Sequence, residues 1–319
     1  MTVEGVVVSV IITAYNDQAT IARAIESVKR QDFSDFEVLV VDDGSVDDTV
    51  AVARQALSSG VPGRIIQQEN SGLGAARAAG ANRSRGRYIC FLDADDEYAV
   101  NKLRRQVDAY RKTVNAVVFT GAVMKENGRV RNVRSSEGGL KCVTDGFVKG
   151  RVKPGGHASM LIDRDLYRRS GGFDPGMRRN CEPDFMLRHI AWGGEVWLLK
   201  ESLYIVHESL SSNRHSFNHR LASIEKLFER SVGLIRESDS HSKTKLLGRY
   251  SQTLSERFAL SSLTAPSSYR ASLRAIFFRI WKESRALVSP WALVLVNSPF
   301  SVSQKTFSLG KRVKRYIRK

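Results

Sequence analysis

Three apolar runs in the first hundred residues each stop abruptly at polar or acidic side chains. Residues 6–12 lead into Thr13, Ala14, Tyr15, Asn16 and Asp17, and residues 37–41 lead into Asp42, Asp43, Gly44 and Ser45. Residues 88–92, Y-I-C-F-L, lead into Asp93, Ala94, Asp95 and Asp96. Short runs rich in β-branched and aromatic residues read as buried parallel strands. Between them the apolar positions follow a helical period: Ile21, Ala24, Ile25 and Val28, with an end near Gln31, then Val50, Val52, Ala53 and Leu57 behind a cap at Asp47 or Asp48. Ile65 and Ile66 mark a short third strand. An Ala-rich helix covers about residues 73–82, and Leu103, Val107 and Tyr110 mark another helix. Strands alternating with helices predict a mostly parallel sheet covered on both faces. Ligands bind such sheets outside the carboxyl ends of the strands, where these acids lie.

Residues two apart on an extended segment point the same way, so Asp93 and Asp95 can converge on one point. Uncompensated carboxylates at a strand end suit a hard cation with oxygen ligands. A solvated acidic turn that caps the next helix would use the same residues. The segment S-G-L-G-A-A-R-A-A-G at 71–80 contains a G-x-G-x-x pattern but is not a dinucleotide fingerprint. Arg77 replaces its third glycine, and it follows the third strand rather than the first. Its glycines are expected to permit a tight turn, with Arg77 either facing an anionic ligand or lying on the surface.

The chain of 319 residues carries a net charge of +17, unevenly spread. Residues 1–110 are net −4, residues 111–240 net +7 and residues 241–319 net +14. The basic character therefore belongs to the last third, away from the carboxylate clusters. That speaks against a nucleic-acid-binding protein, in which the basic surface would be the site. Cys90, Cys142 and Cys181 are odd in number and widely spaced, which predicts no disulfide framework and a reducing compartment. No basic, apolar leader is present at the N-terminus, so no secretory signal is expected, and no apolar run reaches the roughly 18 residues of a membrane span. The longest candidate is residues 291–296.

After residues 116–120 the alternation breaks. Residues 123–125 and 129–133 predict a hairpin around Asn127-Gly128, residues 157–162 another strand, and residues 197–199 and 204–206 two closing strands that end at His207. Gly171-Gly172-Phe173-Asp174-Pro175 is turn chemistry. Glu182, Pro183 and Asp184 open a helix, where acids complement the dipole whatever else they do.

Together these segments resemble the family 2 glycosyltransferases of the GT-A fold. The matching stretches are V-S-V-I-I-T-A-Y-N at 8–16, F-E-V-L-V-V-D-D-G-S at 36–45, E-N-S-G-L-G-A-A-R at 69–77, F-L-D-A-D-D at 91–96, G-G-F-D at 171–174 and E-P-D-F-M-L-R at 182–188. They keep the family's order and spacing over about residues 6–215. The resemblance implies an inverting enzyme that moves a sugar from a nucleotide-diphosphate donor to a hydroxyl of a saccharide or lipid-linked saccharide, in bacterial surface or exopolysaccharide assembly. It implies that Thr13, Tyr15 and Asp43 hold the base, that Arg77 faces the nucleotide, that Asp93 meets the ribose and metal site, and that Asp95 binds Mg²⁺ or Mn²⁺. The family's general base is the Asp of an E-D pair ahead of D-F-x-L-R. Here Cys181 stands for that Glu and Glu182 for that Asp, with Asp184 as the second candidate. Ala78 stands where the family often has Asn. His207 resembles a late family histidine that closes over the diphosphate, or is structural at a strand end.

The expected organisation is a catalytic domain over 1–215, with a nucleotide-sugar half of about 1–115 and an acceptor half of about 116–215. A basic helical region follows over 216–319. From 268 to 288 the set Leu273, Ile276, Phe277, Ile280, Ser284 and Leu287 keeps one face, Phe278 and Trp281 widen it, and the chain ends L-G-K-R-V-K-R-Y-I-R-K. This suits either adsorption to the anionic cytoplasmic face of a membrane or a helical subdomain with a solvated basic side. A catalytically silent scaffold of the same fold is the other class considered. It would be expected to lose Asp93 and Asp95, which are present.

Overall fold

The computed structural model describes residues 7–58, 60–126, 129–133, 139–152, 154, 156–207, 217–261, 267–283 and 288. The turn at Asn127-Gly128, the residues after His207 up to 216, the segment 291–296 and the polybasic end lie outside them. The chain divides into two compact units, Met1–Ser223 and Ile224–Lys319.

The first unit begins with β1 (Val8–Ala14), α1 (Ile21–Lys29), β2 (Phe36–Asp42), α2 (Thr49–Leu57), β3 (Gly63–Gln67), α3 (Leu73–Arg83) and β4 (Tyr88–Asp93). It continues through β5 (Glu97–Tyr98), α4 (Lys102–Tyr110), β6 (Ala116–Glu126), β7 (Arg129–Val133), β8 (Leu140–Cys142) and α5 (Thr144–Val148). Then come β9 (Leu161–Asp163), α6 (Arg164–Arg169), α7 (Cys181–Ala191) and β10 (Glu195–His207). The strands form one sheet in the order β3-β2-β1-β4-β9-β6-β10-β5, with β7 beside β6 and β8 beside β10. The long pairings are parallel: β1 with β2 and β4, β2 with β3, and β6 with β10. The antiparallel pairings, among them β9 with β4 and β6, involve two to four residue pairs each.

The run of hydrophobic residues in β1 is needed on both faces. Val8, Val10, Ile12 and Ala14 join Ile21, Ala24, Ile25 and Val28 of α1 in one core cluster. On the opposite face Ile11 abuts α3 so closely that a Cβ on Gly80 would lie 2.4 Å from its Cγ2. A second core of rings, Phe91, Tyr167, Phe173 and Phe185, packs edge-on or tilted at centroid separations of 5.0–6.3 Å.

Two of the expected strands take a different form. Residues 195–207 form one strand rather than two, because register shifts between Leu199 and Tyr204 absorb the polar break at Lys200–Ser202 within a continuous pairing to β6. Residues 157–159 form a 3₁₀ turn, and the strand expected there is confined to Leu161–Asp163. The hairpin arms at 123–125 and 129–133 are present, the first as the end of the 11-residue β6.

The second unit contains most of α8 (Phe217–Arg236), then α9 (His241–Ser261) and α10 (Ser267–Glu283). Phe228 packs against Phe258 and Phe277 at 6.4 and 5.6 Å, and Leu273, Ile276, Phe277 and Ile280 are all buried. Most of the apolar face of α10 is therefore spent on the interior of this unit. Phe278 remains 48% exposed, stacked on Trp281 at 6.1 Å with Lys282 Nζ 4.9 Å from its ring.

Candidate active site

The β2-β1-β4 register puts the acidic strand ends side by side. Thr13 lies opposite both Val41 and Asp93, and Ala14 opposite Asp42. The chain stays zipped just past the sheet, since Asp43 N donates to Ala14 O at 2.9 Å and Ala94 N to Thr13 O at 3.2 Å. The loops after β1 and β2 are laced together. Asn16, at φ 56°, accepts from Val46 N and donates its own N–H to Ser45 Oγ, while Asp17 N donates to Thr49 Oγ1. Tyr15 stands out from this edge, 37% exposed, and Thr13 is buried beneath it.

Asp43 is held by three N–H donors: Gln68 Nε2 at 2.7 Å, Ser71 N at 2.9 Å and Gly72 N at 2.8 Å. A carboxylate has about four acceptor directions, so this one is rigidly oriented with room for one more donor. Gly44, at φ 80°, allows the approach, because a Cβ there would lie 2.9 Å from Asn70 N. The glycines of S-G-L-G serve close packing as well as the turn. A Cβ on Gly74 would lie 2.3 Å from Met177 O and 2.6 Å from Asp174 O, so α3 begins directly against the G-G-F-D loop.

Carboxylate oxygens of Asp93, Asp95 and Asp96 lie within 4.8 Å of one another, a donor set of hard oxygens that fits a Mg²⁺- or Mn²⁺-like cation. The three are not equivalent. Asp96 accepts His207 N on Oδ1 at 2.9 Å and Tyr204 O–H on Oδ2, so it ties the end of β10 to the cluster. Burial first, then the neighbouring Asp93 and Asp95, raises its pKa to about 7. Asp93 and Asp95 are therefore the pair suited to an ion. Burial also raises Asp17 to about 6, opposed by the bond from Tyr15 N and reinforced by Asp95 and Asp93. His207 joins the same edge, its Nε2 2.6 Å from Glu97 Oε1, and Glu97 also pairs with Arg30 at 3.3 Å. Arg23 Nη2 donates to the main-chain oxygen of Asp95 at 2.6 Å.

Arg77 lies under the site rather than on its surface. It is 1% exposed, donating from Nη2 to Asp93 Oδ1 at 2.9 Å and from Nη1 to Cys181 Sγ at 3.3 Å, with Phe173 5.7 Å from its guanidinium carbon. Cys181 opens α7 behind Asn180, which holds φ 56°. The next residue, Glu182, is half-buried, whereas Asp184 is 0% exposed and bound by Arg188 Nη2 at 2.7 Å and Nε at 3.2 Å. Arg188 in turn donates to Ser170 O and Gly172 O, so Asp184 secures the G-G-F-D loop to α7. Thr13, Asp43, Asp93, Asp95 and His207 thus gather on one edge, Arg77 connects that edge to the start of α7, and Asp184 is turned into the interior. Sequence reasoning missed Arg23 and Glu97 and noted Asp17 and Asp96 at the strand ends without giving either a role. Asp96 and Glu97 adjoin D-A-D and were legible as neighbours, whereas Asp17 and Arg23 acquire their place only from the loop and helix that carry them.

Residues 9–171 match the family model described as Glycosyl transferase family 2. The chain is 28% identical over 213 residues to the uncharacterized glycosyltransferase EpsJ of Bacillus subtilis, covering 64% of this chain and 62% of that one, just under two thirds of its length. It is 30% identical over 223 residues to the putative glycosyltransferase EpsE of the same organism, covering 68% and 79%. Its fold is similar to the crystal structure of S. aureus TarS 1-349 in complex with UDP-GlcNAc, with a TM-score of 0.73, 17% identity, and coverage of 95% and 92%.

Proposed function

Because the chain belongs to glycosyl transferase family 2 and has the GT-A fold, we propose that it transfers a sugar, with inversion, from a nucleoside-diphosphate donor to a hydroxyl of a saccharide or lipid-linked saccharide. The observation that carries this reading is the gathering of Thr13, Asp43, Asp93 and Asp95 at the carboxyl edge of adjacent parallel strands; that Cys181, next to Glu182, meets Arg77 supports placing Glu182 beside them. The names of its relatives, among them a putative teichuronic acid biosynthesis glycosyltransferase, support a role in bacterial surface polysaccharide assembly.

Tyr15 stacks on the base, and Asp43, already aligned by three N–H groups, accepts a base N–H as its fourth partner. Asp95 and Asp93 would hold Mg²⁺ or Mn²⁺, which when bound supplies charge neutralisation at the diphosphate leaving group. Glu182 accepts the proton of the acceptor hydroxyl. The internal ion pair of Asp184 supports Glu182 over Asp184 as the base. Arg77 acts on the donor side through Asp93, and His207, whose main-chain N–H is tied to Asp96, closes over the diphosphate.

The C-terminal unit is proposed to bring the enzyme to the anionic inner face of the cell membrane. The net charge of +14 over residues 241–319 supports this, as does the exposed Phe278 ring stacked on a half-buried Trp281. No helix among the described residues is long and apolar enough to cross a bilayer.

Turnover of a panel of UDP-, GDP- and TDP-sugars with Mn²⁺, compared between wild type and Asp95→Ala, tests the central reading. Loss of divalent-dependent nucleotide binding and transfer in the variant is expected. Undiminished activity would overturn it.

A further inference from the structure

Arg77 has an unusual set of neighbours for a fully buried guanidinium. One fork meets the carboxylate at the end of β4, and the other meets a thiol at the first residue of α7. Nε has no hydrogen-bond partner. Burial pushes the Cys181 thiol up, outweighing the pull of Arg77, so the sulfur is a neutral and weak acceptor. Where the family resemblance places a glutamate, this chain therefore offers no second full charge at position 181. Asp93 gives the guanidinium a carboxylate acceptor at 2.9 Å, against the thiol at 3.3 Å. A guanidinium holds two acceptors at a fixed angle, which an ammonium cannot do.

We infer that Arg77 is a positioning residue that, seated on Cys181, fixes the start of α7 relative to Asp93 and so couples cation binding at Asp93 and Asp95 to the placement of Glu182. The role given to Glu182 rests on the reading above. The coupling itself is a property of these contacts. A disturbance at Asp93 reaches α7 through one planar group, and loss of either fork breaks the link. The thiol makes the second fork the weaker one.

The test uses the full-length protein as wild type, R77K, C181A and C181S. Binding of Mn²⁺ alone is followed by electron paramagnetic resonance, and hydrogen exchange of the peptide covering residues 178–187 is measured with and without Mn²⁺. Transfer kinetics use whichever panel donor turns over. In wild type, Mn²⁺ slows exchange at the start of α7. In R77K and C181A, Mn²⁺ still binds within about threefold of wild type, but the exchange response is lost. Their kcat falls about tenfold or more while the donor KM stays within about threefold. C181S, which keeps an acceptor at that place, recovers most of what C181A loses. Thermal melts separate this pattern from simple destabilisation, which would speed exchange everywhere and leave the Mn²⁺ response in place. An intact Mn²⁺ response and kcat in R77K and C181A would overturn the inference while leaving the functional reading standing. A wild type that neither binds Mn²⁺ nor transfers sugar would overturn both.

Discussion

His189 is neutral in the folded protein, and the fold leaves its proton little alternative. It is buried, with Nδ1 3.0 Å from Ser170 Oγ and Nε2 3.2 Å from Glu195 O. A carbonyl only accepts, so Nε2 carries the hydrogen and Nδ1 accepts from the serine hydroxyl. Burial lowers the pKa from 6.5 to about 4, opposed by the bond to Glu195 O. The unfolded chain therefore binds the proton more readily. The stability contributed is complete above pH 6.5 and is lost as the pH falls from there toward 4, to a total of about 3 kcal/mol. Urea titrations of wild type and His189→Gln between pH 7.5 and 4.5 check this: the stability lost by wild type relative to the variant should grow as the pH falls, whereas Asp17 and Asp96, whose raised pKa values act in the opposite direction, cancel in the difference. Two carboxylates of α7 separate in the same terms. Glu182→Gln should lower turnover by about 10²-fold or more with donor binding intact. Asp184→Asn should remove about 3 kcal/mol of stability by leaving Arg188 without its buried partner. Kinetics corrected for folded fraction would tell them apart. An active Glu182→Gln beside an inactive but folded Asp184→Asn would move the base to Asp184.

Among the elements, the strands that build the site were legible because each is an uninterrupted apolar run closed by acid. β2 and β4 follow expectation to within a residue at each end, whereas β1 lies two residues later than the run at 6–12, because Thr13 and Ala14, expected in the loop, still pair with β2. β5 and β8 were not legible, since two or three residues carry no period and are paired only because β10 passes beside them. Lys102 misleads in another way. A lysine opening a helix reads as solvated, yet it is buried, with Nζ 3.8 Å from the Tyr98 ring centroid and its pKa lowered by burial against the pull of Cys90. Of the candidate site, D-A-D and the D-D-G-S turn were visible as chemistry. The inward turn of Asp184 was not, because Glu182 and Asp184 have the same dipole rationale and only packing distinguishes them. The glycines of α3 give a prediction at this scale. Gly74→Ala would drive a methyl group into Asp174 O and Met177 O, and a stability loss of about 1–3 kcal/mol is expected in thermal melts. An alanine substituted at Gly193, whose Cβ would meet nothing within 4 Å, serves as the comparison, although its φ of 96° carries a strain of its own.

At the scale of the whole molecule, charge is divided along the chain, net −4 over the first 110 residues and net +14 over the last 79. Binding to anionic vesicles should weaken with salt, because each basic residue near such a surface contributes about 1 kcal/mol that fades over a Debye length of about 10 Å at 0.1 M. The apolar contribution that salt does not screen should be small, since Phe277 and Ile280 are buried, Trp281 is half-buried and Phe278 is left exposed. Phe278→Ala/Trp281→Ala should therefore abolish most of the residual co-sedimentation at high salt and little of that at low salt. Equal pelleting of the double variant and wild type at high salt would show that these rings are not the contact.

β9 is three residues long, yet among the described residues it is the strand that joins the β3-β2-β1-β4 block to the β6-β10 block. Its residues, 161–163, leave the ribosome some 70 positions after β4 is complete. Throughout that interval β1 to β4 can assemble from their own local pairings, but β4 presents a bare edge of unpaired backbone groups. During synthesis the nascent chain is most exposed to wrong partners at this stage, and a substitution that delays the seating of Leu161–Asp163 would lower the yield of folded protein far more than its stability once made.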